Sequence, residues 1–297
     1  MPTRSASRKL TISIVGPGNL GTALARALSA AGYRTHSLIL RGQSKRIRAA
    51  KLLARQIGAQ TQRLEQHPIL GDIVWITVPD DAIAGVTRVL AQAGDWRGKI
   101  AFHSSGALSS DELAPLRDKG ARVASVHPMM TFVRGAAPEM TGVAFALEGD
   151  RPAVRAARTI VSALGGSPFV IKKQNKVLYH AFGSFASPLV IALIATMEEI
   201  ALAAGIRQQN IKPVIFPLLS QTLTNYFKHN AAAAFSGPLA RGDVATISKH
   251  LAELERLPHA MQVYRALAES AVKRLPVRNA EAMGSKLSPR RKGPKSH

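Results

Sequence analysis

Lys176 and His180 stand four residues apart in a stretch that reads as helix, so they share one face, and both can exchange protons. Reducing a carbonyl by hydride needs a proton donor to the new alkoxide, and oxidation needs the reverse. A lysine whose pKa is lowered by desolvation can serve, with His180 orienting it or the substrate. The pair equally fits a solvated lysine and a surface histidine in the first turns of a helix. Three more polar groups invite the same question. In His103-Ser104-Ser105-Gly106, the hydroxyls and backbone N–H groups of Ser104 and Ser105 can hold a carboxylate or carbonyl oxygen, or simply form a serine-rich turn. His127 opens His127-Pro128-Met129-Met130-Thr131-Phe132, where it can donate to a substrate oxygen in a largely apolar pocket or be a satisfied structural histidine. Arg241, in Arg241-Gly242-Asp243, can grip an anion bidentately or belong to a salt-bridged turn and helix cap.

Hydride chemistry needs a carrier, and the glycine fingerprint near the N-terminus supplies a place for one. Ile12-Ser13-Ile14-Val15 reads as a strand that turns through Gly16-Pro17-Gly18-Asn19-Leu20-Gly21 into an alanine-rich helix. Gly16 permits the tight turn, Gly18 lets the backbone approach a pyrophosphate, and Gly21 lets the helix pack on the strand; Asn19 and Leu20 complete the cradle. The second strand, Thr35 to Leu40, ends without the acidic residue that takes a ribose 2′-hydroxyl in NAD sites. Arg41, Ser44, Lys45 and Arg46 follow instead and suit a 2′-phosphate, so NADP is the expected cofactor, although these charges also fit the solvated start of a basic helix, Lys45 to Gln56. Gly71 to Asp80 reads as a third, fully buried strand. Its exit through Val78 and Pro79 would lie beside the cofactor, with Asp80 or Asp81 as a helix N-cap.

Further strands are expected at Lys99 to His103, Arg122 to Val126, Gly142 to Leu147 and Phe169 to Ile171, with helices at Ser110 to Lys119 and Pro152 to Leu164. Beyond Lys176 the pattern turns helical: Lys176 to Gly205, Lys212 to His229, Asp243 to Leu257 and Met261 to Lys273, with Asp243 as an N-cap. The expected architecture is α/β: a doubly wound parallel Rossmann sheet over residues 10–172, then an all-helical substrate and dimerisation domain over 173–280. Residues 1–9 and 281–297 read as basic, disordered ends.

The 297 residues carry a net charge of +22, which attracts phosphorylated or acidic ligands and, nonspecifically, nucleic acid; no motif for specific nucleic-acid recognition is present. With no cysteine, disulfides, thiolate metal sites and a cysteine nucleophile are excluded, and a reducing cytoplasm fits. No metal is expected. Ala181 to Met197 is apolar enough to suggest a short membrane span, but Pro188 within it and Glu198-Glu199 after it favour a buried helix of a soluble domain.

The glycine fingerprint, His103-Ser104-Ser105-Gly106, His127-Pro128-Met129, Lys176 with His180, and Ser236-Gly237-Pro238 with Arg241-Gly242-Asp243 together resemble one bacterial family over about residues 10 to 275. It pairs a Rossmann-like domain with a C-terminal helical domain of unknown function, number 2520. That family is similar to the 6-phosphogluconate dehydrogenase-like superfamily of 3-hydroxyacid dehydrogenases, ketopantoate reductases and pyrroline-carboxylate reductases. The resemblance implies NADP, hydride transfer and homodimers whose helical domains complete each other's sites. Lys176 matches the catalytic lysine of the 3-hydroxyacid dehydrogenases, and Ser104 to Gly106 are similar to their substrate-carboxylate loop. His180 stands where those enzymes have a substrate-binding asparagine, which leaves the substrate class open. The reading is therefore an NADP-dependent dehydrogenase or reductase acting on a small anionic hydroxy acid, oxo acid or imine. The alternatives are a non-catalytic NADP(H) sensor and a nonspecific nucleic-acid binder acting through its basic ends.

Overall fold

The computed structural model describes residues 10–41, 47–66, 68–133 and 138–288. The chain divides into two compact units, one ending at Ala186 and one beginning at Ser187. The division expected at residue 172 thus falls one helix later, because the helix carrying Lys176 packs with the sheet.

The first unit is built on β1 (Ile12–Val15), α1 (Asn19–Ala30), β2 (Thr35–Leu40), α2 (Ile47–Ile57), β3 (Gln60–Arg63), β4 (Ile73–Ile76), α3 (Asp80–Gln92) and β5 (Ile100–His103). A 3₁₀ turn (Ser110–Leu113), α4 (Ala114–Asp118), β6 (Arg122–Pro128), β7 (Ala144–Gly149), α5 (Arg151–Ala163), β8 (Ser167–Val170) and α6 (Lys176–Ala186) complete it. One eight-stranded sheet has the order β3-β2-β1-β4-β5-β6-β7-β8. All its ladders are parallel except β6 with β7, which is antiparallel, a reversal not expected from the sequence.

Alternation explains the two-sided core. Ile12, Ile14, Ile73 and Trp75 face a cluster with α1 and α5, whereas Val15, Val74 and Ile76 face α3 and α4. Two expectations need correction here. β3, with sequence Gln-Thr-Gln-Arg, has no apolar periodicity to reveal it; pairing with β2 alone places it at the sheet edge. The expected helix Ser110 to Lys119 begins as a 3₁₀ turn, with the Ser109 side chain accepting from the Asp111 N–H.

The second unit contains α7 (Pro188–Ala203), α8 (Gln208–Lys228), α9 (Ala231–Ala234), α10 (Pro238–Arg241), α11 (Val244–Leu254), α12 (Pro258–Arg274) and α13 (Ala280–Leu287). Asp243 caps α11 as expected, its side chain accepting from the Thr246 N–H at 3.0 Å. The single helix expected from Lys176 to Gly205 is broken at Ser187, immediately before Pro188, which cannot continue the backbone ladder. The stretch Ala181 to Met197 is not a buried helix within this chain: residues 173–203 pass the length and hydropathy test for a membrane span, and the tested window has none of its residues buried.

The expected disordered tail is also corrected over 281–287. Met283 and Leu287, one helical turn apart and both fully buried, join Ile247, Leu251 and Ala268 in the second unit's core. Met283→Ala should therefore lower the stability of this unit by about 2–5 kcal/mol, read from its urea midpoint; an unchanged midpoint would mean α13 is not docked.

Candidate active site

The sheet order reverses between β1 and β4, where an open α/β sheet places its ligands. The turn after β1 is tight for defined reasons. Gly16 has φ +87°, and a Cβ there would stand 2.6 Å from Val78 Cγ1; a Cβ on Gly21 would stand 2.5 Å from Thr77 Oγ1 and 2.6 Å from the Gly16 carbonyl oxygen. The Thr77 hydroxyl donates to that carbonyl at 2.8 Å, tying the turn to the end of β4. Beside it lies a cavity of about 660 Å³ lined by Gly16, Gly18, Asn19, Leu20, Arg41, Val78, Pro79 and Ser104 among others. Gly18 caps α1 without a side-chain bond, so no side chain covers the helix N-terminus at the cavity edge. Asn19 Nδ2 donates to the Phe132 carbonyl at 2.9 Å, bringing Phe132 into the same wall.

These features fit a dinucleotide: a cradle that a Cβ would fill, a helix N-terminus at its edge, and a guanidinium rather than a carboxylate after β2. Ser44 and Lys45, expected at the 2′-phosphate, lie outside the described residues.

The loop after β5 is pinned from several sides. The Ser105 N–H donates to His103 Nδ1 at 3.1 Å, which leaves the ring proton on Nε2 for the Ser109 carbonyl at 2.9 Å. Burial pushes the His103 pKa down to about 4; the bond to Ser109 opposes this and the Lys176 charge adds to it. The Ser105 hydroxyl donates to Asp80 Oδ2 at 2.6 Å and accepts from the N–H groups of Ala107 and Leu108. Asp80 is therefore not the N-cap expected for α3; Pro79 occupies that position, and the carboxylate is turned to Ser105. Ser104 accepts from the Trp75 indole at 2.8 Å, so its own proton remains to be donated.

Lys176 is 1% exposed. Its Nζ donates to Ser125 Oγ at 2.7 Å and to the Ser105 carbonyl at 3.1 Å. Burial lowers its pKa to about 8, against the opposing charges of Glu148 and Asp80. The ammonium thus holds the loop from below, where sequence reading expected it to exchange protons with substrate.

One turn along α6, the Tyr179 hydroxyl lies 2.9 Å from His127 Nδ1. The exposed His180 ring sits edge-on to His127 with centroids 6.0 Å apart. Both imidazoles crowd Gly106, where a Cβ would stand 2.5 Å from His180 Cδ2 and 2.8 Å from His127 Nε2. Burial first, then the charges of Lys176, His180 and His103, lower the His127 pKa to about 4. The structure therefore assembles Ser104, Ser105, His127, Lys176 and His180 around one loop. Arg241 is exposed on α10 of the other unit. Tyr179, Ser125, Thr77, Asp80 and Phe132 were not singled out as site residues from sequence; the signal for Tyr179 was its i+3 spacing from Lys176.

Two family models match the chain: Rossmann-like domain over residues 3–128 and Domain of unknown function (DUF2520) over residues 143–271. The second begins just before β7, so it includes the last two strands and α5 and is not confined to the helical part, as the sequence suggested. Comparison with curated proteins gives no match. Among solved structures, a Bacteroides fragilis protein provisionally named an NADP oxidoreductase is 20% identical, with 90% of this chain and 99% of that chain covered at TM-score 0.73. Protein TM1727 of Thermotoga maritima is 25% identical, with 92% and 98% covered at TM-score 0.69. A reductive aminase from Aspergillus terreus, in complex with NADPH and ethyl-5-oxohexanoate, is 16% identical, with 93% and 98% covered at TM-score 0.61.

The buried Lys176 makes a pH prediction. Its folded pKa of about 8 lies below the unfolded value of 10.5, so the unfolded chain binds the extra proton between these values and stability rises with pH across that window. Wild type should gain up to about 3 kcal/mol over Lys176→Met between pH 8 and 10.5 in chemical denaturation. A constant difference would mean the amine is not desolvated.

Proposed function

We propose that this chain, a Rossmann-like domain followed by DUF2520, is an NADP-dependent oxidoreductase that transfers hydride between the cofactor and a small carbonyl or imine substrate, with an anionic hydroxy or oxo acid, or an imine, as the class. The observation that carries the reading is Arg41 on the wall of the cavity at the sheet's switch point, where an NAD site would place a carboxylate. The names of the structural neighbours, an NADP oxidoreductase and a reductive aminase with NADPH, support the same chemistry.

Gly16, Gly18, Asn19, Leu20 and Gly21 would cradle the pyrophosphate, and Arg41, with Ser44 and Lys45, the 2′-phosphate. Bound there, the dihydronicotinamide supplies hydride. Val78 and Pro79 line its wall, and the Ser104 proton, left over from the Trp75 bond, is available to a substrate or carboxamide oxygen. Lys176 fixes the Ser105 carbonyl, while His127 and His180 stand at the open side of the loop.

Titration with NADPH, followed by Trp75 fluorescence, tests this directly. Arg41→Ala should weaken NADPH by about tenfold to a hundredfold and leave NADH affinity nearly unchanged, because only the 2′-phosphate contact is lost. Failure of wild type to bind either nucleotide would overturn the enzyme reading; tight binding with no hydride transfer to any oxo acid or imine would favour the sensor.

The helical part is proposed to form a homodimer. Ile191 on α7 and Phe216, Leu218 and Phe227 on α8 are each more than 60% exposed, an apolar surface that a monomer in water does not sustain. A second copy presents the same apolar face, so a two-fold contact covers both at once. Sedimentation should give twice the chain mass, and Phe227→Glu should shift it toward monomer; a monomeric wild type that instead binds lipid vesicles would replace the dimer with a membrane surface.

A further inference from the structure

His127 is held at one nitrogen and open at the other. Nδ1 meets the Tyr179 hydroxyl at 2.9 Å, whereas Nε2 has no hydrogen-bond partner among the described residues. Nε2 faces the Gly106 backbone, whose lack of a Cβ lets the His127 and His180 edges pack against it. Gly106 is two residues beyond Ser104, which lines the nucleotide cavity, so the chain places the backbone that Nε2 faces within about 7 Å of that wall. Lys176, the other proton carrier nearby, already donates to the Ser105 carbonyl and the Ser125 hydroxyl.

We propose that His127 and Tyr179 form a proton-delivering pair, in which His127 Nε2–H meets the substrate's carbonyl oxygen or imine nitrogen and the Tyr179 hydroxyl donates to Nδ1. The inference rests on the reductase reading and deepens it. Desolvation keeps both members neutral at pH 7, since it lowers the His127 pKa to about 4 and raises that of Tyr179 to about 12. With the phenol donating to Nδ1, the imidazole's own proton must lie on Nε2. A neutral imidazole oriented in this way acts as a hydrogen-bond donor to a polarising C=O or C=N group.

The step balances. As the substrate carbon accepts hydride from the bound dihydronicotinamide, the π pair moves onto oxygen or nitrogen, and that atom forms a bond to the Nε2 proton. The Nε2–H bond breaks as the Tyr179 proton passes to Nδ1. The phenolate left behind regains its proton from water, so the substrate gains two electrons and two hydrogens, of which the hydride would be supplied by the dinucleotide and the proton by His127. His127 is then the catalytic residue and Tyr179 the positioning residue that also resupplies the proton. The His180 ring packs against the same Gly106 backbone, edge-on to His127.

Two measurements on the full chain test the pair. Nitrogen-15 NMR of the histidine rings should show His127 as the neutral Nε2–H tautomer at pH 7, and Tyr179→Phe should abolish that preference. A Nδ1–H tautomer, or a spectrum unchanged in Tyr179→Phe, overturns the proposal without any assay of turnover. With NADPH and 2-methyl-1-pyrroline or pyruvate as probe, His127→Gln and Tyr179→Phe should each lower kcat by about 100-fold, leaving NADPH affinity intact and KM within a few-fold. Retained kcat in both variants would also overturn it. If wild type binds NADPH but reduces neither probe nor any other oxo acid or imine, the reductase reading falls and the delivery role with it, while the tautomer still decides the geometry.

Discussion

The interaction on which the site depends is the buried ammonium of Lys176. An amine taken out of water is costly unless its protons are received, and both receivers seen here are neutral: the Ser125 hydroxyl on β6 and the Ser105 carbonyl after β5. That cost is what lowers its pKa, with Glu148 and Asp80 offsetting only part of it. In return a single atom ties the first turn of α6 to two strands. Because Tyr179, His180 and Gly183 follow at the third, fourth and seventh positions, fixing Lys176 fixes the helix face that meets His127 and Met129.

The loop between Ser104 and Gly106 then has little freedom. His103 is locked below it by bonds at both ring nitrogens, and Ser105 uses its N–H, carbonyl and hydroxyl on three different elements. A residue satisfied inward at every polar group leaves its two neighbours to face outward, Ser104 to the nucleotide cavity and Gly106 to the imidazoles. The closeness of the nucleotide cavity to the His127 ring is thus a consequence of one buried serine, and the sheet's switch point sets where that serine must be.

How much of this was legible in the sequence follows from what each residue needed. The glycine turn needs only its own spacing and the strand before it, so Gly16, Gly18 and Gly21 were readable, as was the absence of an acidic residue after β2. Lys176 and His180 were readable as a helical pair. Their opposite fates, one interior and one exposed, were not, because they depend on what lies across the contact. Tyr179 carries no signal beyond its i+3 spacing from Lys176, and its role became visible only through His127. Ser125 was hidden inside a strand whose apolar neighbours defined it. At the C-terminus, basic residues, Ser and Pro suggested a disordered tail, and two apolar residues one turn apart, Met283 and Leu287, outweighed that composition.

Charge placement gives the arrangement its chemical sense. Three groups that can carry positive charge, His103, His127 and Lys176, are gathered within a few side-chain lengths, and they cannot all be protonated in a desolvated volume. The charge of Lys176 helps keep both His103 and His127 neutral. One cation therefore lies beneath the Ser104 to Gly106 loop with donors arranged above it. A substrate atom bonded to His127 Nε2 would develop negative charge as its carbon accepts hydride, and it would do so near a fixed positive charge and next to a neutral ring that can give up a proton. A protonated histidine there would compete with the lysine for the same field. A neutral one adds a donor without adding charge, and so would stabilise charge developing on the acceptor atom together with the fixed ammonium.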